Sequence, residues 1–195
     1  MLSMGDVMAR NNAATLNDAA NAGLSRRQVL RGAGASGLVG LTTVALILST
    51  ETAAHAATQD NWRWCLQCEG LWFNGNVRWG RCPAAYRHTF KVSGNYVLPY
   101  APASGQDNWR WCLKCEGLWF SGTGGAGVCP AGNGHVSRGS GNYVLSFAPA
   151  GGQDNWRWCS KCAGLWYSGT GGAGVCPAGN GHTFVGSGNY VLPMA

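Results

Sequence analysis

Apolar and polar positions follow two unlike patterns along the chain, and the change falls near Ala56. Upstream, Gly32 to Leu48 is a continuous apolar stretch, diluted by Gly and Ala and free of charged side chains. Downstream, no segment keeps a helical period; short aromatic and branched runs stand between turn-forming residues instead. Asn61 to Cys65, Leu71 to Phe73 and Tyr96 to Leu98 are such runs, and they predict β-strands. In Trp62-Arg63-Trp64 the alternation places both indoles on one face of a strand and the guanidinium on the other. Everything after Ala56 is therefore expected to be all-β.

The strand pattern repeats. Gln59, Gln106 and Gln153 each open Gln-Asp-Asn-Trp-Arg-Trp-Cys, at an even spacing of 47 residues. Each unit continues through Cys-x-x-Cys, Gly-Leu-Trp, a Gly-rich turn, Cys-Pro-Ala, a His and a closing Asn-Tyr-Val-Leu. A period of this length marks a repeat architecture. The expected organisation is an N-terminal segment over 1–56, then repeats over 57–105, 106–152 and 153–195. Pro99 to Gly105 and Ser146 to Gly152, rich in Ala, Pro, Ser and Gly, read as short linkers between separate modules. Three equal repeats also resemble a β-trefoil, in which the copies share one pseudo-threefold core. A meeting of Tyr96, Tyr143 and Tyr190 on one axis would mark that alternative.

The N-terminal segment reads as an address. Arg26-Arg27 precedes the apolar stretch, and Ala54-His55-Ala56 closes it with the small residues of a cleavage site. This order resembles a twin-arginine (Tat) signal peptide, with Val29 and Arg31 in place of the family's usual Phe and Lys. The resemblance implies passage through the Tat translocase, a mature chain beginning at Ala57, and a secreted or cell-wall-associated bacterial protein. Seventeen Gly-diluted residues are short for a bilayer about 30 Å thick, so no stable membrane anchor is expected.

All 9 Cys lie in the repeats. They form the sets Cys65, Cys68, Cys82 with His88; Cys112, Cys115, Cys129 with His135; and Cys159, Cys162, Cys176 with His182. Each set has the spacing C-x2-C-x13-C-x5-H, from which tetrahedral Cys3His zinc sites are built. Trp-Arg-Trp-Cys-x-x-Cys resembles the first knuckle of a zinc ribbon, whereas the C-x5-H half departs from that family. Disulfides are the rival chemistry in an exported protein. Nine Cys cannot all pair, however, and a Tat substrate folds before export, where thiolates remain free to take metal. Between residues 74 and 92 copy one has diverged, keeping with both companions only Gly75, Gly80, Cys82, Pro83, Ala84 and His88. A unit of about 40 residues also buries too little apolar area to stand alone, and a structural zinc supplies on the order of 10 kcal/mol. About three structural zinc ions per chain are expected.

Composition narrows the function. The repeats carry 10 basic and 5 acidic side chains, a surplus too small to signal nucleic-acid binding. Cys3His fills a tetrahedron, and Glu69 and Glu116 give way to Ala163 in copy three, so neither an open metal position nor a shared general base is present. A non-enzymatic binding protein is expected, with a hydrolytic enzyme as the third option. Trp62, Arg63 and Trp64, with Trp109, Arg110, Trp111 and Trp156, Arg157, Trp158, are the candidate ligand-binding residues. Flat rings at the surface stack on sugars, which suggests a polysaccharide or cell-surface ligand; the same indoles serve equally well as core. A protein-interaction module, inhibitor or toxin-like effector is the alternative. Trp72, Trp119 and Trp166 are expected to cover the metal knuckles, and Trp79 belongs to copy one alone.

Overall fold

A computed structural model describes residues 57–195, and the twin-arginine segment lies outside the described residues. Within them the secondary structure is entirely β, with three strands per repeat. The first copy supplies β1 (Thr58–Trp64), β2 (Leu71–Phe73) and β3 (Tyr96–Pro99). The second supplies β4 (Gln106–Trp111), β5 (Leu118–Phe120) and β6 (Tyr143–Phe147), and the third β7 (Gln153–Trp158), β8 (Leu165–Tyr167) and β9 (Tyr190–Leu192). The first strand of each copy lies between its second and third, all antiparallel. Among the described residues no helix is long and apolar enough to cross a membrane.

A β-bulge interrupts each central strand between Gln59 and Trp62, Gln106 and Trp109, or Gln153 and Trp156. The bulged residues Asn61, Asn108 and Asn155 adopt φ of 63° to 65°, a region that Asn tolerates better than most residues. Their backbone N–H groups leave the ladder and donate to the side chains of Asn95, Asn142 and Asn189, each at 2.8 Å. The N–H groups of Trp64, Trp111 and Trp158 donate likewise to Ser93, Ser140 and Ser187. The repeated Ser-Gly-Asn before each third strand thus satisfies donors that the bulge releases.

Each copy carries its own Cys3His set, as the spacing predicts, but the copies are not separate modules. One hydrophobic core draws on all three: Trp62, Leu98, Trp109, Leu145, Trp156 and Leu192 are all at most 1% exposed within it. The joints are cyclic. Trp62 meets Tyr143 edge-on at 5.1 Å, Trp109 meets Tyr190 at 5.2 Å, and Trp156 meets Tyr96 at 5.1 Å. The three tyrosine hydroxyls donate across the same joints to Gln59, Gln106 and Gln153. The tyrosines therefore mark the pseudo-threefold arrangement, one at each joint.

The expected linkers are structural too. Tyr100 bridges and stacks on Tyr143, with ring centroids 4.8 Å apart. In the corresponding tail, β6 pairs with β9 through Ser146 and Phe147, and Phe147 packs on Tyr190 at 5.0 Å. The third joint closes through Val97 N–H to the Pro193 carbonyl and Ala195 N–H to that of Asn95. Composition suggested short linkers, but one aromatic per tail is enough to dock it on the neighbouring copy.

Candidate metal centres

Each site begins where the central strand ends. Cys65 closes β1, and the chain turns back at once: Glu69 N–H donates to the Cys65 carbonyl at 2.7 Å, and Cys65 N–H to that of Gly70 at 3.0 Å. Glu69 holds φ of 64°, with Glu116 at 62° and Ala163 at 64° in the other copies. This tight turn points Cys65 and Cys68 to one side, and the Gly-rich loop returns Cys82 and His88 to meet them.

The result is three like clusters: Cys65, Cys68, Cys82 and His88; Cys112, Cys115, Cys129 and His135; and Cys159, Cys162, Cys176 and His182. In every cluster the candidate ligand atoms lie within 4.8 Å of one another. Eleven of these side chains are buried and His182 is half-buried. The first and third sulfurs are 3.9 Å apart in each copy, and the second sulfur is 3.6 Å from the His Nδ1. All nine cysteines are free thiols, since a disulfide would bring its sulfurs to about 2.05 Å. These groups can hold a metal ion through three sulfurs and Nδ1.

The clusters share protons unevenly. Hydrogen bonds from Cys68 and Cys82 push the Cys65 thiol far below the ordinary range. Hydrogen bonds with Cys65 and Cys82, together with burial, push the Cys68 thiol far above it. Burial works to lower His88, but hydrogen bonds from Cys65 and Cys82 outweigh it and bring the imidazole to about 9. Cys112, Cys115 and His135 follow the same directions, as do Cys159, Cys162 and His182. An anionic sulfur offers a divalent ion charge and a donor, and the imidazole gives up its Nδ1 proton when such an ion binds. Backbone N–H groups also reach the sulfurs, Val136 to Cys112 Sγ and Ala131 to Cys129 Sγ, each at 3.4 Å.

The surroundings position the imidazoles. Trp72, Trp119 and Trp166 lie on their metal clusters as predicted, stacked on His88, His135 and His182 at 5.2 to 5.3 Å and 14° to 15°. With Nδ1 turned to the sulfurs, His135 Nε2 faces the Cys162 carbonyl of the next copy at 3.2 Å. Gly80, Gly127 and Gly174 lie against the carbonyls of Cys115, Cys162 and Cys68, where a Cβ would come within 2.2 to 2.4 Å of oxygen. Their φ of 53° to 60° independently favours glycine. The second Cys and the His of all three sites line one small cavity of about 50 Å³.

The candidate ligand-binding strands fare differently. Trp62, Trp109 and Trp156 are 0% exposed and Trp158 is buried, so these four indoles present no ring to a ligand. Trp64 and Trp111 are half-buried against the same core, and Arg63, Arg110 and Arg157 are half-buried on the opposite face. The alternation held, but a core shared by three copies covers the indole face that a lone module would leave open.

Two features were not read from the sequence. Glu69 and Glu116 are ties between copies: Thr170 Oγ1 donates to Glu69 at 2.6 Å, and Asn76 Nδ2 to Glu116 at 2.8 Å. The second is a cleft between the diverged loop of copy one and copy two, lined by Arg78, Arg81, Arg87 and Lys114. Counting charges copy by copy would have shown the arginines.

Fold and centres together define a class: a cyclic β-repeat protein with three largely buried Cys3His groups placed to bind a metal ion. Comparison with protein-family models, with curated proteins and with solved structures returned no match.

Proposed function

We propose that the chain is an exported, non-catalytic binding protein in which three structural zinc ions brace a rigid surface for an extracellular polysaccharide. The spacing of the donor atoms carries the metal half of this reading. A tetrahedral zinc with Zn–S near 2.3 Å and Zn–N near 2.0–2.1 Å separates its sulfurs by about 3.8 Å and sulfur from nitrogen by about 3.6 Å. The clusters show 3.9 Å and 3.6 Å. Four protein donors fill the tetrahedron, which is the arrangement of structural rather than catalytic zinc.

The ligand half rests on exposed aromatic and charged groups outside the repeated strand, chiefly Trp79, 40% exposed, and Tyr86, 82% exposed. Export is supported by Arg26-Arg27 and Ala54-His55-Ala56. A protein partner is the second reading, favoured by Val77, Phe184 and Val185, which stand 62% to 99% exposed.

Elemental analysis and thiol titration of the purified protein test the zinc sites. Three zinc ions per chain and thiols that react only after chelation are expected. Metal-free protein with paired cysteines would overturn the assignment. Retention on insoluble polysaccharides tests the ligand, and retention by none of them, with zinc in place, would favour the protein partner.

A further inference from the structure

The diverged loop breaks the threefold equivalence on one side of the molecule. Where copy one has Arg78, Arg81 and Arg87, copy two has Gly125, Val128 and Gly134, and copy three has Gly172, Val175 and Gly181. The three arginines, with Lys114 from copy two, line a cleft of about 340 Å³. Glu116 is the single acid of that lining. Its Oε2 already accepts from Asn76 Nδ2 at 2.8 Å and from Trp111 Nε1 at 2.7 Å, so it serves to hold the loop.

Two of the three guanidinium groups are mounted on rings. Arg87 lies 5.0 Å above Trp79, and Arg81 lies 5.5 Å above Tyr86. Trp79 is itself fixed, stacked on Phe90 at 5.5 Å and on Trp72 at 6.3 Å, and Trp72 stacks on the metal-site imidazole of His88. An aromatic column that runs to the Cys3His cluster thus holds the Arg87 plane at the surface, with Arg81 on Tyr86 beside it. A guanidinium steadied on a ring loses less freedom when it grips an oxyanion with two parallel N–H bonds.

We propose that this cleft binds the oxyanion groups of an acidic polysaccharide, carboxylated or sulfated, a proposal that rests on the polysaccharide reading above. The rings in the cleft are occupied by arginines, so recognition runs through charge-assisted hydrogen bonds rather than stacking on a neutral sugar. The cleft falls in the range of small-ligand pockets, about 300–1,000 Å³, and suits a short stretch of a chain. Duplex nucleic acid is disfavoured: binders of that class neutralise about 6–10 phosphates, and this cleft offers four cations.

The test compares the purified protein with two variants. One carries residues 121–139 in place of 74–92, a loop already compatible with the Cys3His site in copy two. The other carries Arg78→Gln, Arg81→Gln and Arg87→Gln. Retention is measured at physiological ionic strength on polygalacturonate, chondroitin sulfate, neutral dextran and a single-stranded oligonucleotide, with zinc content measured alongside. The parent should hold one or both acidic polymers and not dextran, the two acidic arms telling carboxylate from sulfate preference. Both variants should keep full zinc and bind about tenfold or more weakly. Unchanged binding after loop exchange, or an oligonucleotide held as tightly as the acidic glycans, would overturn the cleft assignment. Dextran retained independently of the loop would overturn it too while leaving polysaccharide binding intact. Retention of no polysaccharide at all would remove both readings.

Discussion

Single residues show where the copies have drifted from their common geometry. Val92 holds φ of 64°, while its counterparts Gly139 and Gly186 sit at 80° and 78°. A β-branched residue is strained in that region, and Val92 is 77% exposed, with little packing to offset the strain. Val92→Gly should therefore stabilise the fold by about 1 kcal/mol, visible as a raised melting temperature. A lower one would contradict it. Ala163 breaks the ring of ties that Glu69 and Glu116 make, leaving Thr123 without its counterpart carboxylate. Because Glu116 occupies the same backbone conformation, Ala163→Glu should fit and add about 1 kcal/mol net of burial. A double-mutant cycle with Thr123→Ala should show coupling; strict additivity would mean that the tie does not form. The twelve candidate ligands were legible in the sequence because metal geometry constrains spacing. The ties were not, since a carboxylate that varies between copies carries no periodic signal.

At the scale of elements, the strands were legible and their neighbours were not. Asn61 to Cys65, Leu71 to Phe73 and Tyr96 to Leu98 fall within or beside β1, β2 and β3, because alternation and turn residues are local signals. Which strand pairs across a joint depends on long-range packing, and Tyr100 and Phe147 looked like isolated aromatics in linker-like tails. The third strands have a measurable consequence. Tyr96 at the start of β3 is buried, and burial is the main cause that pushes its phenol up to about 12 from an ordinary 10.0. Tyr143 and Tyr190 are raised as well, again chiefly by burial. The folded state prefers the protonated phenol, so this contribution to stability is complete below pH 10 and is lost as pH rises toward 12 and beyond. Phenolate absorbance and far-ultraviolet circular dichroism, followed together, should show these tyrosines ionising only as the sheet is lost. Ionisation of every tyrosine near pH 10 with the sheet intact would contradict the joint.

For the whole molecule the decisive question is whether three metal sites make three stable units or one. Composition favoured separate modules because each repeat holds a full ligand set, and nothing local in the sequence reveals a cyclic core. The structure links every site to the next. Phe73 N–H donates to the Glu116 carbonyl, Phe120 N–H to that of Ala163, and Tyr167 N–H to that of Glu69, all at 2.8 to 2.9 Å. His135 spans one such joint, with Nδ1 at its own cluster and Nε2 at the Cys162 carbonyl. His135→Ala therefore removes a metal ligand from copy two and a contact to copy three together. The variant should lose about one zinc of three. Its unfolding should remain a single transition at reduced temperature, since Trp109 and Tyr190 tie the damaged copy into the common core. A chelator titration of the parent protein should likewise release zinc and sheet structure in one cooperative step, structural zinc being worth on the order of 10 kcal/mol per site. Three resolved melting steps, or a variant in which copies one and three melt as in the parent, would show that the repeats stand alone despite the shared core.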